Sequence, residues 1–253
     1  MSIPRNPIRP RSCRHCIRRL GRIVRVQRPS ILSLDLDDTL WPVEPVIAAA
    51  EHAVLEWLRE HHPSVVEGHD VASMRAERAR FAARHPEYGH NLTLVRRRTL
   101  AEAFLAAGYP PIDGEPAPVA EALAVFHHMR NRVTFYPDAL PALEALGARY
   151  RLFAISNGNA DLERCGIARF FEGHVTAAAA GAAKPDARIF QALLALGGVE
   201  PADVVHVGDD PVTDMVGARN AGMHCVWLNR HARPWPDGLD AQPCTIETLV
   251  ELL

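Results

Sequence analysis

Long apolar segments are missing from this sequence of 253 residues. No apolar run approaches the length of about 20 residues that a helix needs to cross a bilayer. The N-terminus has no apolar stretch of the kind that directs secretion. The five cysteines are an odd number and are scattered along the chain, which is typical of reduced thiols and not of a disulfide framework. We therefore expect a cytoplasmic protein with no membrane partner.

Positive charge is scarce outside the first 28 residues. This segment holds nine of the 28 basic residues and no acidic one, so 19 basic residues face 30 acidic ones in the rest of the chain. A body of that charge lacks the basic surface that nucleic acids require, and we expect no nucleic-acid partner. Residues 1–29 are rich in arginine and proline and poor in apolar residues, which predicts a basic, disordered tail.

Lysine is almost absent, since Lys184 is the only lysine among the 28 basic residues. A compact ammonium fits a small polar cavity that a planar guanidinium does not fit. Composition alone leaves two explanations open: a function that arginine cannot perform, or the chance survival of one lysine. The glycine-rich phosphate-binding loop G-x-x-x-x-G-K-[ST] is also absent, which excludes that type of phosphate site.

The patterns that are present indicate an α/β fold. With 48% hydrophobic and 23% charged residues, the composition is that of a globular protein. Short aliphatic runs typical of buried strands alternate with helical patterns in the second half of the chain. The predicted strands are 31–34, 151–155, 174–176, 204–207 and 224–228. This alternation predicts a Rossmann-like parallel sheet with helices on both faces.

Four helices are predicted between residues 45 and 132, with no strand among them. They span residues 46–59, 70–84, 91–108 and 116–129, and Asp70 and either Asn91 or Thr93 are expected to cap two of them. We expect residues 45–132 to form an inserted four-helix cap domain, and residues 30–44 and 133–253 to form the catalytic core. Further helical segments are predicted at 137–146, near Leu162, at 185–196 with Pro185 in the first turn, at 212–221 and at 246–252.

Three carboxylates follow the first predicted strand directly. Asp35 and Asp37 start on the same side of the chain, because successive strand residues alternate between faces. At an intermediate dielectric, two such charges about 4 Å apart repel each other by roughly 4 kcal/mol. Protonation or a divalent cation would relieve this repulsion. Taken alone, the motif is equally compatible with a solvated acidic turn.

Polar residues also follow two other predicted strands, as Ser156-Asn157-Gly158-Asn159 and as the run from Gly208 to Asp214. Because parallel strands end at the same edge of a sheet, these residues can converge with Asp35 and with Lys184. A carboxylate can act as a nucleophile toward phosphorus, and a second one as general acid and base. A hydroxyl, an ammonium and a divalent cation can hold the phosphoryl oxygens.

The segments DLDDTL, ISNGN, KPDARIF and VGDDPVTD, in this order, resemble the haloacid dehalogenase superfamily of aspartate-nucleophile hydrolases. The resemblance implies a covalent aspartyl-phosphate mechanism, with Asp35 as nucleophile and Asp37 as general acid and base. The implied catalytic set is Asp35, Asp37, Thr39, Ser156 and Lys184. The implied ligands of a magnesium ion are Asp35, Asp37 through its backbone carbonyl, Asp209 and Asp214, the last of which supports the metal shell or pairs with Lys184.

A finer resemblance, carried by DLDDTLW, residues 90–99 and ISNGNADLE, is to bacterial flavin mononucleotide phosphatases, which also dephosphorylate 5-amino-6-(5-phospho-ribitylamino)uracil. It implies a small phosphomonoester as the partner. The expected substrate-binding residues are Ser156, Asn157, Lys184, Trp41, Arg96 and Arg98. Trp41 would stack on a flat substrate or close the core against the cap, and the two arginines would reach the substrate or belong to a solvated helix face.

Other functions are compatible with parts of this pattern. Phosphoglycolate and nucleotide phosphatases of the same superfamily stay open, because the cap sets the choice of substrate. A 2-haloacid dehalogenase needs neither a metal nor an acid at Asp37, and a non-catalytic phosphate-binding module would tolerate the loss of Asp35 or Asp37. Phosphonate cleavage through a cap lysine is excluded, since the predicted cap contains no lysine. Monomer and dimer are both expected possibilities.

Overall fold

The computed structural model describes residues 29–253, so the prediction of a disordered tail falls on residues outside the described part. The centre of the fold is a six-stranded sheet in which every pairing is parallel. Its strands are β1 (Ile31–Leu34), β2 (Arg151–Ser156), β3 (Gly173–Thr176), β4 (Val204–Gly208), β5 (His224–Leu228) and β6 (Cys244–Ile246), in the order β3-β2-β1-β4-β5-β6. The predicted α/β fold is confirmed.

Two hydrophobic cores lie on opposite faces of the sheet, because the side chains of a strand alternate between its faces. On one face Leu32 and Leu34 pack with helix α5 (Ala139–Gly147). On the other face Ile31 packs with residues of helix α7 (Ala187–Gly197). All four residues of β1 are buried, as expected for a central strand covered by helices on both sides.

We call the first four α-helices after β1 the helical unit. They are α1 (Val43–His61), α2 (Val71–Arg84), α3 (Leu92–Ala106) and α4 (Pro118–Arg130), and they share a hydrophobic core of their own. The Asp70 side chain accepts a hydrogen bond from Ser73 N at the start of α2, and the Asn91 side chain accepts one from Leu94 N at the start of α3. None of the helices from residue 29 onward is long and apolar enough to cross a membrane.

Several short elements differ from the predictions. Pro185 precedes α7, whose N-cap is Asp186, so it does not lie in the first turn. The segment around Leu162 forms turns and no helix. The predicted helix at 212–221 is a π-helix, Pro211–Val216, that continues into the short α8 (Gly217–Asn220). The predicted closing helix is replaced by β6 and a 3₁₀-helix, Leu249–Leu252. A short helix α6 (Ala177–Ala180) follows β3.

Candidate active site

The carboxyl ends of three adjacent strands, β2, β1 and β4, position the candidate site. Asp35 follows β1 directly, and its N–H donates a 2.9 Å hydrogen bond to the carbonyl of Val207 on β4. Ser156 is the last residue of β2, and Asp209 comes directly after β4. Since all three strands run in the same direction, these side chains emerge at one edge of the sheet.

Lys184 lies at the centre of the site and is almost completely buried. Its Nζ donates to Asp35 Oδ1 and to Asp214 Oδ1, at 2.5 Å each, and to the carbonyl of Ile155 at 3.2 Å. Burial favours the neutral amine, but the attraction of Asp214 and Asp35 outweighs it and raises the pKa of Lys184 above its usual value. The ammonium therefore stays charged between two carboxylates.

Asn157 holds Lys184 from its backbone side. The Asn157 Nδ2 group donates to the carbonyl of Lys184 at 3.0 Å, and the Lys184 N–H donates to Asn157 Oδ1 at 2.7 Å. Both ends of the side-chain amide are thus engaged by the backbone of one residue. Asn157 therefore positions Lys184, and its expected contact with substrate stays a prediction.

Carboxylate oxygens of Asp35, Asp209 and Asp214 all lie within 4.8 Å of one another. Burial, with a contribution from Asp214, raises the pKa of Asp35 well above its usual value, although Lys184 opposes this. Burial raises the pKa of Asp209 to about 7, and Asp214 and Asp38 add to the effect. Three carboxylates facing one ammonium, two of them buried and Asp209 partly buried, fit a hard divalent cation, which prefers oxygen ligands and would compensate the excess negative charge.

Asp214 uses both of its oxygens inside the protein. Besides Lys184, Oδ1 lies 3.1 Å from Nε2 of the buried His206, and Oδ2 accepts from the Asp210 N–H at 3.0 Å. Burial acts to raise the pKa of Asp214, but Lys184 and His206 outweigh it and lower the pKa below the usual range. His206 Nδ1 lies 2.8 Å from the Ser33 hydroxyl. Of the two expected roles of Asp214, the structure contains the pairing with Lys184.

The Asp37 carboxylate is held by two donors. Its Oδ1 accepts from Trp41 Nε1 at 2.8 Å and from Arg130 Nη2 at 2.8 Å, and its Oδ2 accepts from the same Arg130 nitrogen at 2.7 Å. Trp41 is completely buried and contacts the Phe135 ring edge-on, with centroids 5.6 Å apart. The expectation that Trp41 stacks on substrate is wrong in this structure, because no face of the indole is accessible. The indole closes the core and anchors Asp37.

A tight turn after β1 brings Asp37 into place. Asp38 has a φ of 58°, a conformation that aspartate tolerates better than most residues. Its Oδ1 accepts from the Val43 N–H at 2.9 Å at the start of α1. Thr39 is completely buried, and its Oγ1 has no hydrogen-bond partner within residues 29–253. A catalytic role for Thr39 stays a prediction.

Gly158 allows Asp37 and Ser156 to approach the same small space. The Gly158 N–H donates to Ser156 Oγ at 2.9 Å. A Cβ atom at this position would lie 2.4 Å from Asp37 Oδ2 and 3.2 Å from Ser156 Oγ. Any side chain here would therefore displace the carboxylate, which explains glycine at this point of the loop.

The two arginines expected to bind substrate lie in different places. Arg96 is mostly buried within the helical unit, where its guanidinium covers the Phe126 ring at 3.5 Å and lies 3.6 Å from Glu51. Burial lowers its pKa to about 9. The head group of Arg96 is packed against other residues of the helical unit, and its contact with substrate stays a prediction. Arg98 is exposed on α3, and its role in binding stays a prediction.

Several residues of the site were not predicted. Arg130 lies 93 positions along the sequence from the carboxylate that it contacts. His206 lies in the buried strand β4, and no sequence motif marks it as a site residue. Asp209 is held through its carbonyl by Trp227 Nε1 at 2.8 Å and through Oδ2 by Arg233 at 3.1 Å. Neither periodicity nor a local motif identifies such partners, because the fold alone brings them together.

Comparison with known proteins agrees with this geometry. A family model of haloacid dehalogenase-like hydrolases matches residues 30–222. The 5-amino-6-(5-phospho-D-ribitylamino)uracil phosphatase of Escherichia coli is 32% identical over 213 residues, which are 83% of this chain and 85% of that protein. A phosphoserine phosphatase of Thermus thermophilus is 36% identical over 55% of this chain and 56% of its own. The crystal structure of a 2-haloacid dehalogenase from Pseudomonas syringae has a TM-score of 0.82 and 36% identity, with coverages of 88% and 96%.

Proposed function

The chain belongs to the haloacid dehalogenase-like hydrolases, and we propose that it is a magnesium-dependent phosphatase that acts on a small phosphorylated metabolite through a phosphorylated Asp35. The observation that carries this proposal is the ammonium of Lys184 between Asp35 and Asp214 at the edge of the sheet, with Asp37 and Ser156 beside it. We also propose that residues 30–44 and 133–253 form the catalytic core and residues 45–132 its cap.

In the first step one carboxylate oxygen of Asp35 attacks phosphorus, while Oδ1 accepts from Lys184. A bond forms between Asp35 and phosphorus, and the bond from phosphorus to the leaving oxygen breaks. Protonated Asp37 gives its proton to that oxygen. Ser156 and Lys184 donate hydrogen bonds to the phosphoryl oxygens, where negative charge is concentrated.

In the second step Asp37, now ionised, takes a proton from a water molecule, whose oxygen attacks phosphorus. The bond between phosphorus and Asp35 breaks, inorganic phosphate leaves, and the Asp35 carboxylate is restored. One residue therefore serves as acid and then as base, which requires its carboxylate to be held close to phosphorus throughout the cycle. The hydrogen bonds from Trp41 and Arg130 support this requirement.

The carboxylates of Asp35 and Asp209 and the backbone carbonyl of Asp37 would hold a magnesium ion, with Asp214 behind them. A bound ion would neutralise charge on the phosphoryl oxygens and orient the phosphate. The donor set supports this assignment, because its three clustered carboxylates are hard oxygen ligands.

For the substrate we propose 5-amino-6-(5-phospho-ribitylamino)uracil, with flavin mononucleotide as the second candidate. Support comes from the similarity to the Escherichia coli phosphatase named for this uracil derivative, which extends over most of both chains. Both candidates carry a phosphate at the end of a ribityl chain on a flat ring. The helical unit adjoins the site and would contact the leaving group.

The similarity to a 2-haloacid dehalogenase raises a second candidate reaction. A halide leaves as an anion and needs no proton, so that reaction uses neither a general acid at Asp37 nor a cation. In this protein Asp37 is held by two donors beside Ser156, and the carboxylates of Asp35, Asp209 and Asp214 cluster nearby. These features support phosphate chemistry.

A substrate panel tests the proposal. The purified protein is assayed with magnesium on both ribityl phosphates, phosphoglycolate, nucleoside monophosphates and 2-chloropropionate, and each assay is repeated in excess chelator. We expect phosphate release that is fastest with a ribityl phosphate and stops in chelator. Chloride release that persists in chelator would instead establish the dehalogenase reaction, and faster release from another phosphate would replace the proposed substrate.

A further inference from the structure

A continuous chain of hydrogen bonds joins the helical unit to the Asp37 carboxylate. On α3, the hydroxyl of Thr93 accepts from Asn159 Nδ2 at 3.0 Å. Asn159 Oδ1 accepts from Arg130 Nε at 3.2 Å. Arg130, the last residue of α4, then donates from Nη2 to both oxygens of Asp37. Two helices of the cap are thus linked to one carboxylate of the core.

The surroundings of Arg130 are unusual for an arginine. Its side chain is only 1% exposed, although arginine is rarely buried without a partner that compensates its charge. Within residues 29–253, Asp37 is its ion-pair partner, and its Nη1 atom is buried without a hydrogen-bond acceptor. An arginine that served stability alone would be expected to satisfy all of its nitrogens.

The contacts also divide the two oxygens of Asp37 by function. Oδ1 accepts from Trp41 as well as from Arg130, whereas Oδ2 accepts from Arg130 alone. Oδ2 is also the atom that lies close to Gly158, next to the Ser156 hydroxyl. Oδ1 is therefore held by two donors, whereas Oδ2 is held by Arg130 alone and faces the space beside Ser156, where the phosphoryl group would lie.

We propose that Arg130 is a positioning residue that fixes the general acid and base Asp37, and that Asn159 and Thr93 make this positioning dependent on the docked cap. The proposal rests on the proposed phosphatase function. Arg130 takes no proton and forms no bond to substrate. It keeps Oδ2 of Asp37 aimed at the leaving oxygen in the first step and at the attacking water in the second.

Rapid-mixing kinetics of Arg130→Met with p-nitrophenyl phosphate test the proposal. Methionine keeps an unbranched apolar stem and removes every donor. The p-nitrophenolate leaving group needs little protonation, so the first step should stay within a few-fold of the wild type. Hydrolysis of the phosphorylated Asp35 still needs the base and should slow by about 100-fold or more. A burst of nitrophenol close to one equivalent per enzyme, followed by slow turnover, is the expected result.

An alkyl phosphate substrate supplies the second readout, because its leaving oxygen needs the proton. With this substrate, Arg130→Met should also slow the first step, and the loss should appear in kcat far more than in KM. Arg132→Met, at an exposed arginine two positions along the chain, is the matched control and should behave as the wild type. Equal losses in both steps and on both substrates would overturn the proposal in favour of a purely structural role.

If Arg130→Met does not fold, two variants that remove fewer hydrogen bonds test the same proposal. Trp41→Phe removes one donor to Oδ1, and Asn159→Ala breaks the link between Arg130 and Thr93. Both should show the same burst in weaker form, and wild-type kinetics in both would contradict the proposal. If the proposed phosphatase function were wrong, the wild-type protein would release no phosphate from any substrate. That result is distinguishable from failure of the positioning role of Arg130, which changes only the kinetics of the variants.

Discussion

At the scale of single residues, the ammonium of Lys184 explains why one lysine persists in a chain that otherwise uses arginine. Its three acceptors, two carboxylates and one carbonyl, surround a single nitrogen atom. A guanidinium spreads its donors over a plane and is larger, so it would displace at least one of these acceptors. The structure thus favours the functional explanation over chance survival.

We therefore expect Lys184→Arg to lower kcat by about 100-fold or more, the loss typical for removal of one well-placed donor. Far-ultraviolet circular dichroism should show an intact fold. The control is the reverse exchange, Arg188→Lys, at an exposed arginine on α7 that pairs with Asp186, and it should be neutral. Activity of Lys184→Arg within a few-fold of the wild type would mean that charge alone matters.

Asp209 should make the proposed metal binding sensitive to pH. Burial raises the pKa of this carboxyl to about 7, above its value in the unfolded chain, so the folded protein without metal binds the extra proton. Its contribution to the free energy of unfolding is therefore fully present below the unfolded pKa. This stabilisation by the proton on Asp209 is lost as the pH rises through about 7. A magnesium ion, in contrast, needs the ionised carboxylate of Asp209.

The increase in Tm on adding magnesium should accordingly be larger at about pH 8 than at about pH 5. Thermal unfolding with and without the ion at both pH values measures this difference. Asp209→Asn, which removes the charge and keeps the size, should abolish the increase at either pH. An equal increase at both pH values in the wild type would show that Asp209 does not control binding.

At the scale of secondary-structure elements, the sequence predicts long helices and central strands well, because their periodicity and caps are local. Asp70 and Asn91 cap α2 and α3 as expected. The edge strand β6 was missed because it has three residues, and only Ile246 among them is buried. The π-helix 211–216 was predicted as an ordinary helix, because hydrophobic periodicity does not distinguish the two; the Asp210 side chain caps it by accepting from the N–H groups of Val212 and Thr213.

The helical unit contains a buried charge cluster that periodicity does not reveal. Glu51 on α1 is 5% exposed and pairs with Arg75 and Arg78, while Arg96 lies 3.6 Å away. Without its glutamate, the mostly buried guanidinium groups of Arg78 and Arg96 would lose their ion-pair partner, whereas Arg75 is more exposed and also pairs with Glu44. Removal of one partner of a buried pair typically lowers the free energy of unfolding by about 3–5 kcal/mol.

Glu51→Gln should therefore lower the free energy of unfolding by an amount in this range, measured by chemical denaturation. The matched control is Glu115→Gln, which disrupts the more exposed pair with Arg97 and should change stability by about 1 kcal/mol or less. If the two variants lowered the free energy of unfolding by similar amounts, burial of the cluster would add nothing to its contribution to stability.

At the scale of the whole molecule, the site is assembled from segments that are far apart in the sequence. The parallel sheet explains why Asp35, Ser156 and Asp209 could be predicted to meet, since the carboxyl ends of its strands share one edge. The arrangement of the helical unit beside that edge is set by tertiary packing, so neither the contact of Arg130 with Asp37 nor the burial of Arg96 could be predicted. The choice of substrate could not be predicted for the same reason, since it depends on which side chains tertiary packing brings to the site.

The central claim is that Asp35 becomes phosphorylated during turnover. Acid quenching of the wild-type protein during steady-state hydrolysis, followed by mass spectrometry of its peptides, tests this directly. In the wild-type protein we expect one phosphoryl group on the peptide that contains Asp35. The Asp35→Asn variant should stay folded but show neither this adduct nor turnover. Turnover by Asp35→Asn close to the wild-type rate, with no phosphorylated peptide in either protein, would contradict the central claim.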